Sequence, residues 1–263
     1  MWFRVEAALT YDFAKPRETL LLLEAARTPD QAVRAETLTF SPHTPVSRLD
    51  DSVTGERRAV FLAEGRHSIA YDATVEVMAR DADLKGARAS PVRELPSDAL
   101  RYLRASRYCP SDRFERFARR RFGHVEGGDK VHAILAWMAE NMSYEIGVSD
   151  AATTATDTFV DRAGVCRDFA HLAITLCRAA DIPARAVSAY AWKLKPADLH
   201  AVAEVYVGGR WRLIDPTGKA PIDGLVRVAT GLDAADIAFM TIFGEAQLVS
   251  QRFAITRIRR QTS

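Results

Sequence analysis

The chain has 263 residues, 48% of them hydrophobic, and its 36 basic and 34 acidic residues give a formal net charge of +2. This composition is typical of a globular protein with one or two domains, and the balanced charge provides no general attraction to nucleic acid or to a membrane surface. The start of the chain lacks the apolar core of a signal peptide, and no apolar run is long enough to span a bilayer, so we expect a cytoplasmic protein.

The first third of the chain is rich in predicted β-strands. The segments that alternate or are rich in β-forming residues are 3–13, 18–25, 33–40, 57–62 and 68–78, with Pro and Gly turn signals between them. Prolines, glycines and charged residues then interrupt the periodicity over residues 83–97, as in a linker. We therefore predict an N-terminal β-sandwich domain over 1–82, a linker over 83–97 and a second domain over 98–263.

The second domain shows helical patterns first and strand patterns afterwards. Helices are predicted at 97–104, 111–122 and 129–141, and another begins after Gly164 and stops before Pro183. Strands are predicted at 187–192, in a hairpin over 201–214 and at 247–257. We expect these strands to form an antiparallel sheet against which the helix after Gly164 packs, which makes the fold class α+β.

Cys166 is predicted to lie in the first turn of the helix that follows Gly164. Unpaired backbone N–H groups and the positive end of the helix dipole favour a thiolate at that position. A cysteine placed in this way is a candidate nucleophile.

A histidine and an aspartate are predicted to meet on a hairpin further along the chain. Residues 199–207 form a strand pattern, 208–209 is a two-glycine turn, and 210–215 alternates. With residue 207 paired to residue 210, His200 and Asp215 share one face as diagonal neighbours, roughly 7–8 Å apart between backbones. In this arrangement a carboxylate fixes the imidazole tautomer while the other ring nitrogen faces a nucleophile.

These motifs resemble a known family. The strings at 164–171 (GVCRDFAH), 200–201 (HA) and 213–217 (LIDPT) resemble the transglutaminase-like cysteine protease superfamily, in particular its bacterial branch. The resemblance implies Cys166 as nucleophile, His200 as general base and acid, and Asp215 as the orienting carboxylate. It also implies a papain-like transglutaminase core behind an N-terminal sheet domain. Many relatives have an aromatic residue two positions after the histidine, where this chain has Val202.

Three further residues are candidates for supporting or substrate-binding roles. Tyr144 precedes the cysteine in a family-like string and is a candidate oxyanion donor, Asp168 lies on the nucleophile's helix and is expected to cap, pair or pack, and Trp192 is a candidate pocket wall. For both aromatic residues, packing is the alternative. Cys109 and Cys177 are expected to be a loop thiol and a core residue, respectively.

A metal or cofactor is not expected. The chain has no Cys-x-x-Cys string, no His-Glu-x-x-His string and no EF-hand calcium loop. The three cysteines lack disulfide-framework spacing, which fits a reducing compartment.

The sequence therefore predicts cysteine-dependent acyl transfer on a peptide or protein amide through a thioester. Hydrolysis by a peptidase or amidase is favoured. Transfer to an amine would require additional structure that keeps bulk water away from the thioester, and the sequence shows no sign of such structure. The alternatives are a transglutaminase or amide ligase with an amine acceptor, and a catalytically silent binding or scaffold module. No feature of the sequence specifies an oligomeric state.

Overall fold

The computed structural model describes residues 1–259, which form an α+β fold. In chain order the strands and helices are β1 (Trp2–Leu21), β2 (Gln31–Ser41), β3 (Ser47–Arg48), β4 (Ala59–Val77), α1 (Ser97–Leu100), α2 (Glu115–Phe122), α3 (Gly127–Asn141), β5 (Ser143–Tyr144), α4 (Ala155–Asp161), β6 (Ala163–Gly164), α5 (Cys166–Arg178), β7 (Ala184–Ala191), β8 (Leu199–Val207), β9 (Arg210–Ile214), β10 (Leu225–Gly231), α6 (Ala234–Ile237), β11 (Met240–Ile242) and β12 (Gln247–Ile258). The predicted α+β class is confirmed.

The N-terminal strands form one antiparallel sheet with two long central members. Strands are ordered β11-β1-β4-β2, with β12 also paired to β1 and β3 also paired to β4. The predicted strand 3–13 and the first half of 18–25 lie in the single strand β1, which ends at Leu21. The predicted strands 57–62 and 68–78 lie almost entirely in β4, which spans Ala59–Val77. Burial alternates along most of both strands, as the sequence pattern predicts for a sheet with one buried face.

This sheet folds over on itself, which gives the N-terminal region two layers. The β1–β4 register shifts between residues 13 and 17, opposite Gly65, whose φ of 69° is in the left-handed region that favours glycine. Phe61 and His67 lie on β4 on either side of this point, and their ring centroids are only 6.5 Å apart. In a straight strand, six residues would separate them by about 20 Å. Both halves of β4 therefore contribute to one core.

The last long strand does not join the sheet that we expected. The segment 247–257 was predicted to pair within the second domain, whereas β12 pairs antiparallel with β1, from Trp2 opposite Ile258 to Asp12 opposite Gln247. The alternation in the sequence identifies a strand but carries no information about its partner. The long strand β1 has a second edge, and β12 satisfies the hydrogen-bonding groups there. Strands β11 and β12 thus belong to the N-terminal sheet.

The second sheet carries the hairpin, and helix α5 packs against it. Its strands are ordered β10-β7-β8-β9 and are all antiparallel. Helix α5 contacts both β7 and β8, and its residues 169–178 are buried. Helix α4, which the sequence analysis did not predict, packs against α5.

The two sheets share contacts at their junction. The Tyr190 hydroxyl on β7 donates to the carbonyl oxygen of Leu23 at 2.8 Å. The Arg227 guanidinium on β10 contacts the Asp30 carboxylate at 2.6 Å. Among residues 1–259, no helix combines the length and apolar character needed to cross a membrane.

Candidate active site

Cys166 is the first residue of helix α5, and its local structure is maintained by Asp168. The Asp168 carboxylate accepts hydrogen bonds from the Val165 N–H at 2.8 Å and from the Ser149 hydroxyl at 2.5 Å. Its side chain is completely buried, whereas Cys166 is half-buried. Asp168 therefore caps the helix that presents the thiol, which is the kind of supporting role predicted for it.

Gly164 is required by the same cap. A Cβ atom at this position would lie 2.7 Å from the Asp168 Cβ and 2.9 Å from its Oδ2. These distances are too short for non-bonded atoms, so a larger residue would displace the capping carboxylate. The glycine two residues before the thiol thus allows the tight approach of Asp168.

The hairpin has the register that the sequence predicted. Val207 is opposite Arg210, and the pairing continues to Ala203 opposite Ile214, where β9 ends. Asp215 follows directly, and its Oδ2 lies 3.0 Å from His200 Nε2. The predicted pairing of the imidazole with the carboxylate is therefore present.

Asp215 is held as an anion by several donors. Its Oδ1 accepts from the Thr217 N–H at 3.0 Å and the Thr217 hydroxyl at 2.7 Å, and its Oδ2 accepts from the Ala220 N–H at 2.9 Å. Burial by itself would raise the pKa of the carboxyl group, but the hydrogen bond and charge of His200 together with these donors lower it. Sequence reasoning did not identify Thr217 or Ala220 as site residues, although the hairpin register places Thr217 opposite His200.

His200 is buried and is poised to carry a proton. Burial opposes its charged form, yet the hydrogen bond to Asp215 and the interactions with Cys166 outweigh that effect and raise its pKa to about 9. Its Nδ1 is buried and makes no hydrogen bond with any described residue. A ring with Nε2 bound to a carboxylate and Nδ1 unpartnered, beside a thiol, can accept the thiol proton.

Tyr144 lies beside the thiol. Burial raises the pKa of the Tyr144 phenol, the charge and side chain of Cys166 raise it further, and the Cys166 backbone N–H opposes this effect. The Tyr144 ring lies 5.9 Å from the ring of Phe169, and the Lys219 ammonium lies 4.1 Å above it. The structure thus brings Tyr144 together with Cys166.

Trp192 lies elsewhere, at the junction of the two sheets. Its ring is 5.9 Å from the Phe3 ring of β1, and the Arg257 guanidinium of β12 is 5.6 Å from it. Lys193 contributes a second cation at 4.5 Å. These neighbours belong to the N-terminal sheet and to the adjacent loop, so the packing role accounts for this residue better than the predicted role of pocket wall.

The other two cysteines and His171 are structural. Cys109 and Cys177 are fully buried, and burial raises the pKa of each thiol to about 12. Burial also lowers the pKa of His171 to about 4, and this ring accepts the Ala234 N–H at 3.1 Å. The segment that contains Ala234 meets α5 through this bond. Within the described range, no group of three or more His, Cys, Asp or Glu side chains is arranged to hold a metal ion.

Comparison with known proteins identifies the family. Residues 115–216, which include Cys166, His200 and Asp215, match the transglutaminase-like superfamily. The crystal structure of a "putative cysteine protease" from Cytophaga hutchinsonii has a TM-score of 0.92 and 36% sequence identity, and the match covers 100% of this chain and 92% of that chain. The chain belongs to the transglutaminase-like superfamily.

Two further matches cover less of the chain. An uncharacterized protein of Mycobacterium leprae is 31% identical over 117 residues, which are 41% of this chain and 42% of that protein, so the match spans less than half of the curated relative. The periplasmic domain of TgpA from Pseudomonas aeruginosa is 18% identical, with a TM-score of 0.43 and coverage of 82% of this chain and 87% of that one.

Proposed function

We propose that this transglutaminase-like protein transfers the acyl group of a peptide or protein amide to water through a thioester on Cys166. The observation that carries the proposal is the imidazole of His200, which is bonded to Asp215 at 3.0 Å through Nε2 and has an unpartnered, buried Nδ1. This arrangement activates a thiol, because the carboxylate of Asp215 orients the imidazole of His200 that acts as the base.

In the proposed mechanism the thiol proton passes from Cys166 to His200, and the sulfur attacks the amide carbonyl carbon. The tetrahedral oxyanion collapses, the C–N bond breaks, and His200 returns the proton to the departing amine. The resulting thioester is then attacked by water, whose proton His200 accepts, and the acid is released with regeneration of the thiol. Asp215 stabilises the imidazolium that forms twice in this cycle.

The oxyanion requires hydrogen-bond donors near the sulfur. The Cys166 backbone N–H lies at the N-terminus of α5, where such groups lack helical partners. The position of Tyr144 beside Cys166 supports a role for its hydroxyl as second donor. Loss of one donor of this kind typically lowers the rate on the order of ~10²–10³.

Water is the proposed acceptor because Cys166 is partly exposed to solvent. Cys166 is only half-buried, while Cys109 and Cys177 are fully buried. A site that transfers the acyl group to an amine must limit access of water to the thioester. Partial exposure of Cys166 therefore favours a peptidase or amidase over a transglutaminase.

The test is a reaction with two possible products. The wild type and Cys166→Ala are incubated with a peptide library and a labelled primary amine, and the products are read by mass spectrometry. We expect cleavage that depends on Cys166 and carries no label. Labelled peptides would instead indicate a transglutaminase. The matched control is Cys177→Ala, which makes the same substitution on α5 away from the site and should retain turnover.

We also propose that the protein acts in the cytoplasm. Support comes from its three cysteines, all of which are free thiols, as is usual in a reducing compartment. Fractionation of cells that produce the chain tests this, and recovery from a periplasmic or secreted fraction would contradict it.

A further inference from the structure

A lysine without a counter-ion lies at the edge of the candidate site. Lys219 is on the loop that follows β9, between the two residues, Thr217 and Ala220, whose donors hold the Asp215 carboxylate. The Lys219 backbone N–H itself donates to the Thr217 hydroxyl at 3.2 Å. The base of this side chain is therefore fixed by the same loop that fixes Asp215 beside His200.

The far end of the Lys219 side chain contacts the strand that leads to the nucleophile. Its ammonium is 4.1 Å from the centroid of the Tyr144 ring. Tyr144 pairs with Gly164 between β5 and β6, and its ring is 5.9 Å from that of Phe169 on α5. Cys166 lies between these two contacts in the chain, after Gly164 and before Phe169. Lys219 thus connects the loop after the hairpin with the segment that carries the thiol.

The charge of Lys219 is not neutralised within the described part of the chain. No carboxylate there lies within ion-pair distance of its ammonium, because Asp215, Asp168 and Asp198 each accept backbone N–H groups instead. The aromatic face of Tyr144 attracts the cation but leaves its charge intact. Lys219 is exposed, and Tyr144 is 36% exposed, so an anion in solvent can reach the ammonium.

We propose that Lys219 is a specificity-determining residue, which binds a carboxylate carried by the amide substrate close to the scissile carbonyl. The inference rests on the proposed function, because it concerns the substrate of the same Cys166. The carboxylate forms a charge-assisted hydrogen bond with an ammonium that the Tyr144 ring already positions, so binding orders less of the lysine side chain. The substrate class is a peptide amide with an acidic side chain or a free C-terminus near the bond that is cleaved.

The first test measures the effect of this charge at the thiol and needs no substrate. Native protein is treated with three methanethiosulfonates, which carry a sulfonate group, a trimethylammonium group or only a methyl group, and modification of Cys166 is followed by intact-mass spectrometry. Each rate is divided by that of the neutral reagent, which removes any change in the reactivity of the thiol itself. We expect Lys219→Gln to lower the relative rate of the anionic reagent by at least about threefold and to raise that of the cationic reagent, as expected for the loss of one positive charge several ångströms away at low ionic strength.

Two control variants separate the position of the charge from the net charge and from the side chain. Lys193→Gln removes an ammonium that also lies over an aromatic ring, that of Trp192, at the junction of the two sheets. Lys219→Arg keeps a positive charge at the site. Both variants should keep the wild-type relative rates. Relative rates that are unchanged in Lys219→Gln, or that change equally in Lys193→Gln or in Lys219→Arg, would overturn the inference.

The second test uses the amide reaction and distinguishes the two sources of a carboxylate. Peptides with Glu near the scissile bond are compared with analogues that carry methionine sulfone, which is neutral and polar and adds no second amide. Peptides with a free C-terminal carboxylate are compared with their C-terminal amides. We expect a higher kcat/KM for the anionic member of at least one pair in the wild type, and Lys219→Gln should bring that value down toward the neutral member.

The outcomes distinguish the two proposals. Turnover that does not depend on Cys166 would refute the proposed function itself. Turnover that depends on Cys166 but shows no preference for the anionic member of either pair would refute only the role of Lys219. So would a loss in Lys219→Gln that is equal for anionic and neutral peptides, because it would indicate a residue that positions Tyr144 or the loop around Asp215.

Discussion

Replacing Asp215 with asparagine should remove the charge that maintains the His200 imidazolium. In the wild type the pKa of His200 is raised from 6.5 to about 9. At 1.36 kcal/mol per pH unit, this rise corresponds to roughly 3 kcal/mol in favour of the protonated ring. Burial disfavours that form and persists in the variant, so the pKa of His200 should fall to its ordinary value or below.

Asparagine also cannot satisfy every partner of Asp215. Both carboxylate oxygens accept N–H groups, from Thr217 and from Ala220, and Oδ2 also contacts His200. Whichever oxygen the amide NH₂ group replaces, it faces an N–H donor, of Thr217 or of Ala220, and cannot accept its hydrogen bond. If the NH₂ group faces His200, it donates to Nε2 and so favours the tautomer whose Nδ1 carries the proton. That tautomer cannot accept the thiol proton of Cys166.

The direction of the pH effect follows from these pKa values. The imidazolium must be present to protonate the leaving amine, so activity should decline as the pH rises through about 9 in the wild type. In Asp215→Asn the decline should occur about two pH units lower, and turnover at neutral pH should fall by roughly two orders of magnitude or more.

The assay is a histidine titration by NMR, which requires no substrate. Protein labelled with ¹⁵N-histidine reports both the pKa and the tautomer of His200, with the resonance assigned through His200→Gln. Asp233→Asn is the control. It neutralises another buried carboxylate, which caps α6 and does not contact His200. If His200 in Asp215→Asn still titrated near 9, the carboxylate would not be the cause of the raised pKa.

Three further predictions test the thiol and its surroundings. Iodoacetamide should modify native protein at Cys166 alone, since the other two cysteines are fully buried, and intact mass should show one adduct that Cys166→Ala lacks; early labelling of Cys109 would contradict this. Gly164→Ala should displace the helix cap and lower stability by about 1–3 kcal/mol in urea unfolding, with slower alkylation of Cys166; an unchanged midpoint would refute the close approach. Tyr144→Phe should lower kcat by about 10²-fold while alkylation continues, and full activity would exclude the hydroxyl as a donor to the oxyanion.

The hairpin could be predicted because its register is determined locally. Gly208 and Gly209 have φ values of 64° and 77°, the left-handed conformation that a two-residue turn of this type requires at both positions. Such a turn fixes which residues are opposite each other, and counting back from it was sufficient to place His200 beside Asp215. The same count could have identified Thr217.

The position of β12 could not be predicted in this way. Its pairing with β1 joins residues about 250 positions apart in the chain, and nothing in either strand's alternation specifies that partner. The pattern also did not show that β1 and β4 continue through the bend at Gly65, because turn-forming residues such as Pro16 resemble a strand boundary. Local signals indicated the strands, and tertiary packing determined how they were joined.

Local signals were sufficient for Tyr144, whereas the surroundings of Trp192 depend on tertiary packing. Tyr144 precedes the cysteine in a string that resembles the family motif, and β5, which ends at Tyr144, pairs with β6 directly before α5. Trp192 follows β7 at the end where the N-terminal sheet approaches, and its neighbours come from β1 and β12. The sequence position of Trp192 near the predicted cleft therefore did not show which way its side chain points. The sheet that packs against it is built from β1 and β12, which are distant in the chain.

The junction between the sheets connects the N-terminal region to the strand that carries His200. Glu204, four residues further along β8, is buried and contacts Arg185 at 2.6 Å and Arg227 at 2.8 Å. Arg227 also contacts Asp30, so an ion-pair chain extends from the N-terminal region to β8. A buried carboxylate of this kind is stable only while its cations remain in place. The N-terminal region therefore helps to maintain the conformation of β8, and through it the position of His200 beside Asp215.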